Sequence, residues 1–252
     1  MIKALFARRQ QRHRTIKYPL EPALLPELFR GYPQILPELC PANCTGCVDA
    51  CPVGAVTRQG KLSLDLGKCL FCTNCIEACP HDAISFTPDP RLATRRRDEL
   101  LCSAGEERRL ATKLEREMLR LFGRSLKLRE VSAGGCNACE ADTNVLATVG
   151  FDLGRFGIQF VASPRHADGL FVTGPVTINM REALLKTYAA IPAPKLVIAC
   201  GACAINGGPF IGSPEVHNGL DGLLPVDLFI PGCPPHPITI LDGLLRLLGK
   251  MP

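Results

Sequence analysis

Residues 44–56, CTGCVDACPVGAV, and residues 72–84, CTNCIEACPHDAI, are one unit written twice. With the cysteine that precedes each unit they form two runs, Cys40-x3-Cys44-x2-Cys47-x3-Cys51-Pro52 and Cys69-x2-Cys72-x2-Cys75-x3-Cys79-Pro80. Three closely spaced thiols, then a fourth followed by proline, is the bacterial [4Fe–4S] pattern. A cubane needs thiolates at four tetrahedral corners. A short loop wraps three, and the proline after the fourth cysteine stops the helix and turns the chain back. The fourth thiol therefore serves the other cluster. Crossed ligation assigns Cys40, Cys44, Cys47 and Cys79 to a first cluster, and Cys69, Cys72, Cys75 and Cys51 to a second. The first run departs by one extra residue between Cys40 and Cys44, which the loop before Cys44 can absorb. Zinc knuckles would supply cysteines two at a time, which the duplicated three-plus-one arrangement does not match.

Outward from these runs, the chain has 14 cysteines in 252 residues. In a reducing compartment, tight spacing of this kind points to metal and not to disulfides. At 46% hydrophobic and 21% charged the chain reads as globular. No apolar run reaches the length of a membrane span. The opening MIKALFARRQQRHR carries charge where a signal peptide would be apolar, so a cytoplasmic chain is expected. The net charge of +5 is local: Lys3, Arg8, Arg9, Arg12, Arg14 and Lys17 put +6 on residues 1–17, leaving −1 for the rest. This basic tail could meet anionic lipid or be a free end. Without a basic patch interleaved with aromatics beyond it, nucleic acid is not an expected partner.

The organisation expected is a basic tail over 1–17, a cluster-binding domain over 18–88, a helical linker over 89–125 and an α/β domain over 126–252. Five prolines in residues 18–38 make an extended lead-in, and a short strand is expected at Gly60–Leu66. In the linker, Leu110, Leu114, Met118 and Leu121 recur at helical spacing. Candidate strands beyond it are Leu126–Val131, Gly157–Val161, Gly169–Val172, Leu196–Ala199 and Asp227–Ile230. Helices are expected at Glu140–Val149, Ile178–Ala189 and Pro237–Leu248. Alternating strands and helices imply a mainly parallel sheet.

Past the linker lie Cys136, Cys139, Cys200, Cys203 and Cys233, each group directly after a predicted strand. Open parallel sheets place cofactors at the carboxyl ends of their strands, so these thiols are read as one metal site. Glycines at 134–135, 207–208 and 232 leave room for close backbone approach.

Two resemblances follow from these motifs. The two runs, with YPLEP at 18–22 and FRG at 29–31, resemble the two-cluster ferredoxin subunits of complex I and of formate hydrogenlyase. CNACEAD at 136–142, SPRHADGLFVTGPVT at 163–177, GACAINGG at 201–208 and PGCPP at 231–235 resemble the small cluster-bearing subunit shared by complex I (its B, or 20 kDa, subunit) and group 4 [NiFe] hydrogenases. The resemblances imply an α+β ferredoxin-like domain followed by an α/β flavodoxin-like domain. They imply a third [4Fe–4S] cluster on Cys136, Cys139, Cys203 and Cys233, with Cys200 in a non-ligand position and Cys102 matching nothing. Three clusters of four ligands each then use every other cysteine. The Cys136-x2-Cys139 spacing is the hydrogenase-like variant.

The implied activity is electron transfer within an oxidoreductase, toward a separate [NiFe]-hydrogenase-type large subunit and alongside membrane subunits, peripherally on the cytoplasmic face of the inner membrane. Rival readings are the equivalent subunit of a complex I-like quinone reductase, and a stand-alone ferredoxin-type carrier. Glu140 and Asp142 are candidates for proton handling or for a backbone cap. Arg165 and His166 are expected at a subunit interface, and His81 and His236 in loops.

Overall fold

The computed structural model describes residues 2–12, 14–41 and 43–251; Met1 and His13 of the basic tail lie outside them. The tail forms helix α1 (Ile2–Gln11), of which no residue is buried. The lead-in reaches strand β1 (Pro33–Ile35), and the first cysteine run holds the single helical turn α2 (Gly46–Asp49). A hairpin follows, β2 (Val56–Gln59) and β3 (Lys61–Asp65), turning at Gly60, whose φ of +79° suits glycine. The second run repeats the design with α3 (Asn74–Glu77) and β4 (Ile84–Phe86). Strand β4 pairs antiparallel with β1, and β5 (Leu101–Ser103) joins β3. The strand expected at Gly60–Leu66 is thus β3, flanked on both sides.

The linker differs from expectation. Only α4 (Arg116–Phe122) is helical beyond β5, and Leu121 on it is exposed while Leu119 and Phe122 turn inward. Residues 104–115 run as an irregular strap. Ala111 N–H donates to Ala93 O at 2.7 Å, and Leu114 N–H to Leu247 O at 2.9 Å. Short helices are marginal in water, and here backbone bonding to the body of the protein, together with burial of Ala111 and Leu114, outweighs the helical propensity of the segment.

The C-terminal domain begins with β6 (Leu126–Ser132) and continues through α5 (Ala138–Val145), β7 (Ile158–Phe160), β8 (Gly169–Thr173), α6 (Ile178–Ala190), β9 (Leu196–Cys200), α7 (Ala202–Asn206), β10 (Leu228–Ile230) and α8 (Pro237–Leu247). All five expected strands form, and every pairing among them is parallel. Their order is β10-β9-β8-β6-β7. Counted within the domain this is 2-1-3-4-5, the doubly wound order of flavodoxin-like sheets. The central strands GLFVT and LVIAC are buried at every position, as sheets covered on both faces require. The short α7 was not anticipated, because five residues carry no readable period.

Helix α8 is buried at every residue except Arg246, so its outer face needs cover. Lead-in and strap provide it: Tyr18, Ala93, Ala111 and Leu114 join Ile240, Leu241 and Leu244 in one core. The fully buried Asp242 accepts from the Tyr18 hydroxyl at 2.6 Å and from Arg246 Nε at 2.7 Å.

The two cysteine-bearing regions are docked together. Arg97 Nη1 and Nη2 donate to the two Asp65 carboxylate oxygens at 2.8 and 2.7 Å. Thr94 and Phe229 exchange backbone bonds of 3.1 and 2.9 Å, which covers the outer edge of β10. A second core runs without a break from Leu64 and Cys75 through Ile205 to Val131 and Leu170.

Candidate metal centres

The loops that carry Cys72 and Cys136 have unusual backbone. Phe71 and Thr73, on either side of Cys72, have φ of +55° and +74°, and Asn137, beside Cys136, has +68°. Positive φ at non-glycine residues is uncommon and clusters at functional sites. After each Cys-Pro step the chain makes the same bond: Ala55 N–H donates to Cys51 Sγ at 3.1 Å, and Ala83 N–H to Cys79 Sγ at 3.4 Å. Phe71 N–H donates to Cys69 Sγ at 3.3 Å. Such donors stabilise thiolate and tune a cluster's potential.

Burial and mutual proximity mark which thiols belong together. Burial raises the Cys47 thiol, reinforced by Cys40, Cys79 and Cys44. Burial pushes Cys69 up to about 12 and Cys75 up to about 11, and Cys51 and Cys72 neighbour both. In the C-terminal domain burial raises Cys139, and Cys203 up to about 12, with Cys136 and Cys233 beside both. Cys40, Cys44 and Cys79 thus stand near Cys47, Cys51 and Cys72 near Cys69 and Cys75, and Cys136 and Cys233 near Cys139 and Cys203, while Cys47 also neighbours Cys75 and Cys200 neighbours Cys139. Among the described residues no group of three ligating side chains closes tightly enough for a single metal ion. A cubane asks for a wider set, since its thiolates bind four different irons. Metal binding would have to displace the thiol protons, as it does at other thiolate sites.

The third neighbourhood sits at the carboxyl ends of three parallel strands. β6 leads to Cys136 and to Cys139 on α5, β9 leads to Cys203 on α7, and β10 leads to Cys233. Two glycines make room there. A Cβ at Gly201 would stand 2.6 Å from Cys139 Sγ, and one at Gly208 would stand 2.8 Å from Cys203 Sγ. Sulfur fills the space a side chain would take, so the site fits a cluster held close to backbone. Cys136 and Cys233 are exposed, while Cys200, at the end of β9, is fully buried in the core beneath α8. Cys102 is buried on β5, where it pairs opposite Leu64 of β3.

The neighbourhoods are ordered in space. Cys75 of the second lies near Cys47 of the first, and Cys233 of the third lies near Cys72 of the second. A cleft lined by Phe71, Cys72, Asp142, Cys233 and Pro234 joins the last two.

Other candidates resolve differently. Glu140 is buried, and its Oε1 accepts from Thr173 Oγ1 at 2.6 Å, which ties α5 to β8 and is not a helix cap. Burial, then the charge of Glu140, raises Glu130 to about 7, and Glu130 Oε1 has no partner among the described residues. Arg165 and His166 lie exposed on a 3-10 turn at the start of β8. His236 caps α8, its Nδ1 accepting from Ile238 N–H at 3.2 Å. Sequence reasoning passed over Arg58, whose Nη2 stands 2.6 Å from Cys40 Sγ; no local spacing links β2 to a loop that precedes α2.

Comparison with known proteins adds two family matches. Residues 136–247 match the model of the NADH ubiquinone oxidoreductase 20 kDa subunit, and residues 62–85 match a 4Fe-4S binding domain. A probable membrane-bound hydrogenase subunit, mbhJ, of Pyrococcus furiosus is 43% identical, over 58% of this chain and 87% of its own length. Formate hydrogenlyase subunit 7 of Escherichia coli is also 43% identical, over 55% of this chain and 54% of its own length, so the chain spans about half of that relative. The B-type component of the NADH-quinone oxidoreductase of Heliobacterium modesticaldum is 41% identical, over 47% of this chain and 69% of its own length.

Proposed function

The chain belongs to the family of the NADH ubiquinone oxidoreductase 20 kDa subunit, and from that membership we propose that it is the iron–sulfur electron-transfer subunit of a membrane-associated group 4 [NiFe] hydrogenase complex of the formate hydrogenlyase kind. In this reading Cys40, Cys44, Cys47 and Cys79 hold a first [4Fe–4S] cluster, Cys69, Cys72, Cys75 and Cys51 a second, and Cys136, Cys139, Cys203 and Cys233 a third. Residues 18–88 are then a ferredoxin-like two-cluster domain fused to the α/β domain. The observation that carries the proposal is the spatial sequence of the three thiol neighbourhoods, ending at the exposed Cys136 and Cys233 on one sheet edge. Bound there, the clusters supply one-electron transfer. The chain's own work is to position them and present the third to a partner.

The partner follows from the same edge. Ile178 opens α6 after Thr177, which packs on Gly134 ahead of Cys136, and is 50% exposed; Phe210 and Ile211 after α7 are 43% and 41% exposed. Apolar side chains around a shallow cluster suit a large subunit that closes over them, and argue against a carrier working alone. No described helix is long and apolar enough to cross a membrane. We place the chain peripherally, on the cytoplasmic face, held by its complex.

The x2 spacing of Cys136 and Cys139 favours the hydrogenase assignment. The relatedness to a component of an NADH-quinone oxidoreductase keeps a quinone-reducing partner as the second reading. Affinity purification of the tagged chain from its native membranes distinguishes them. The hydrogenase reading expects a co-purifying large subunit with nickel and paired CxxC motifs. A large subunit without either transfers the chain to the quinone-reductase class, and a free monomer removes both.

A further inference from the structure

The duplicated units differ at one position that faces a cluster site. Counting from Cys44 and Cys72, Arg58 of the first unit corresponds to Phe86 of the second. Phe86 lies on β4, packs on Phe71 with ring centroids 5.5 Å apart, and lines the void enclosed by Cys51, Cys69, Cys72 and Cys75. Arg58 lies on β2 and directs Nη2 at Cys40 Sγ, 2.6 Å away. Among the described residues no carboxylate pairs with Arg58. Its Nε is buried with no acceptor among the described residues. Guanidinium N–H groups are strong donors that rarely stay unpaired when buried. A cation already bonded to one thiol, with a further buried donor left over, is the arrangement expected beside an anionic cluster.

We propose that Arg58 tunes the first cluster, raising its reduction potential above that of the second by donating a charge-assisted hydrogen bond to the Cys40 thiolate. The inference rests on Cys40 being a ligand of the first cluster. One-electron reduction adds one negative charge and no proton to the cluster and its thiolates. A guanidinium bonded to one of those sulfurs stabilises the reduced form more than the oxidised form. At the equivalent place the second cluster meets a phenyl ring and receives only neutral backbone donors. Arg58 is a positioning and tuning residue, and it makes two clusters bound by near-identical loops unequal.

The test uses the full chain, anaerobically reconstituted, with redox titration followed by electron paramagnetic resonance. The first cluster's signal is identified as the one altered by Cys40→Ser. In Arg58→Gln its midpoint should fall by about 59 mV, equivalent to about tenfold in a one-electron equilibrium, with the other two signals unmoved. Arg58→Lys keeps the charge without the planar fork, and should fall between. An unchanged midpoint in Arg58→Gln, or an equal shift of all three clusters, overturns the proposal. Should Arg58→Gln fail to assemble the first cluster, Arg58→Lys decides: a lowered midpoint supports the proposal and an unchanged one refutes it. If Cys40→Ser leaves the iron content and every signal as in the wild type, the ligand assignment has failed, and the tuning role falls with it.

Discussion

Replacing Gly201 with alanine tests the C-terminal site through geometry alone. Gly201 precedes α7 with φ of 89° and ψ of 155°, a region that essentially only glycine occupies and that costs other residues about 1–3 kcal/mol. The new Cβ would lie 2.6 Å from Cys139 Sγ, against 3.4 Å for the near limit of an ordinary contact, so the sulfur must retreat by the difference, about 0.8 Å. Sites of this kind tolerate about 0.5 Å. The backbone cannot yield instead: Gly201 N–H is held by Ile230 O at 2.8 Å, and Ala202 N–H by Gly232 O at 2.8 Å. We expect Gly201→Ala to lose about 4 of about 12 irons per chain, since each cubane carries four. The C-terminal cluster's resonance should disappear and the other two remain. Gly60→Ala is the control. It too has a positive φ, +79°, but nothing within 4 Å of its Cβ, and should keep all its iron. A Gly201→Ala protein with full iron content and an unaltered spectrum would refute the placement of Cys139 beside Gly201 as a ligand.

Further outcomes can be checked on the same preparation. Cys102→Ser and Cys200→Ser should keep the full iron content, whereas Cys233→Ser should lose only the C-terminal cluster; iron and sulfide analysis decides. Tyr18→Phe removes one of two donors to the fully buried Asp242 and should cost about 1–3 kcal/mol, read as a lower chemical denaturation midpoint with iron unchanged before unfolding. Burial, then Glu140, raises Glu130 from 4.5 to about 7. The native state therefore holds a proton that the unfolded chain has released, and stability is lost as pH rises across that window. Glu130→Gln should unfold with the wild type at pH 5 and later than it at pH 8; identical curves at pH 8 would contradict the burial of an ionising Glu130.

Much of this protein was legible because its chemistry is local. Three thiols on one loop and a fourth before a proline form a pattern at short range, and the five strands of the α/β domain are short apolar runs that any parallel sheet must bury. The strap over 104–115 read as helix for the same reason in reverse. Its apolar residues keep a helical spacing, while the bonds that decide its shape go to Ala93 and Leu247, partners that no window of sequence contains.

The sequence by itself determined the two repeated thiol patterns and the mainly parallel sheet, since spacing and hydrophobic period act over a few residues. Only the tertiary structure decided the order of the thiol neighbourhoods, the buried Tyr18–Asp242–Arg246 contact that pins the lead-in over α8, and the Arg58 donor to Cys40. These depend on which surfaces dock once backbone hydrogen bonds and apolar area have been satisfied together. That balance is struck over the whole chain, between residues as far apart as Tyr18 and Asp242.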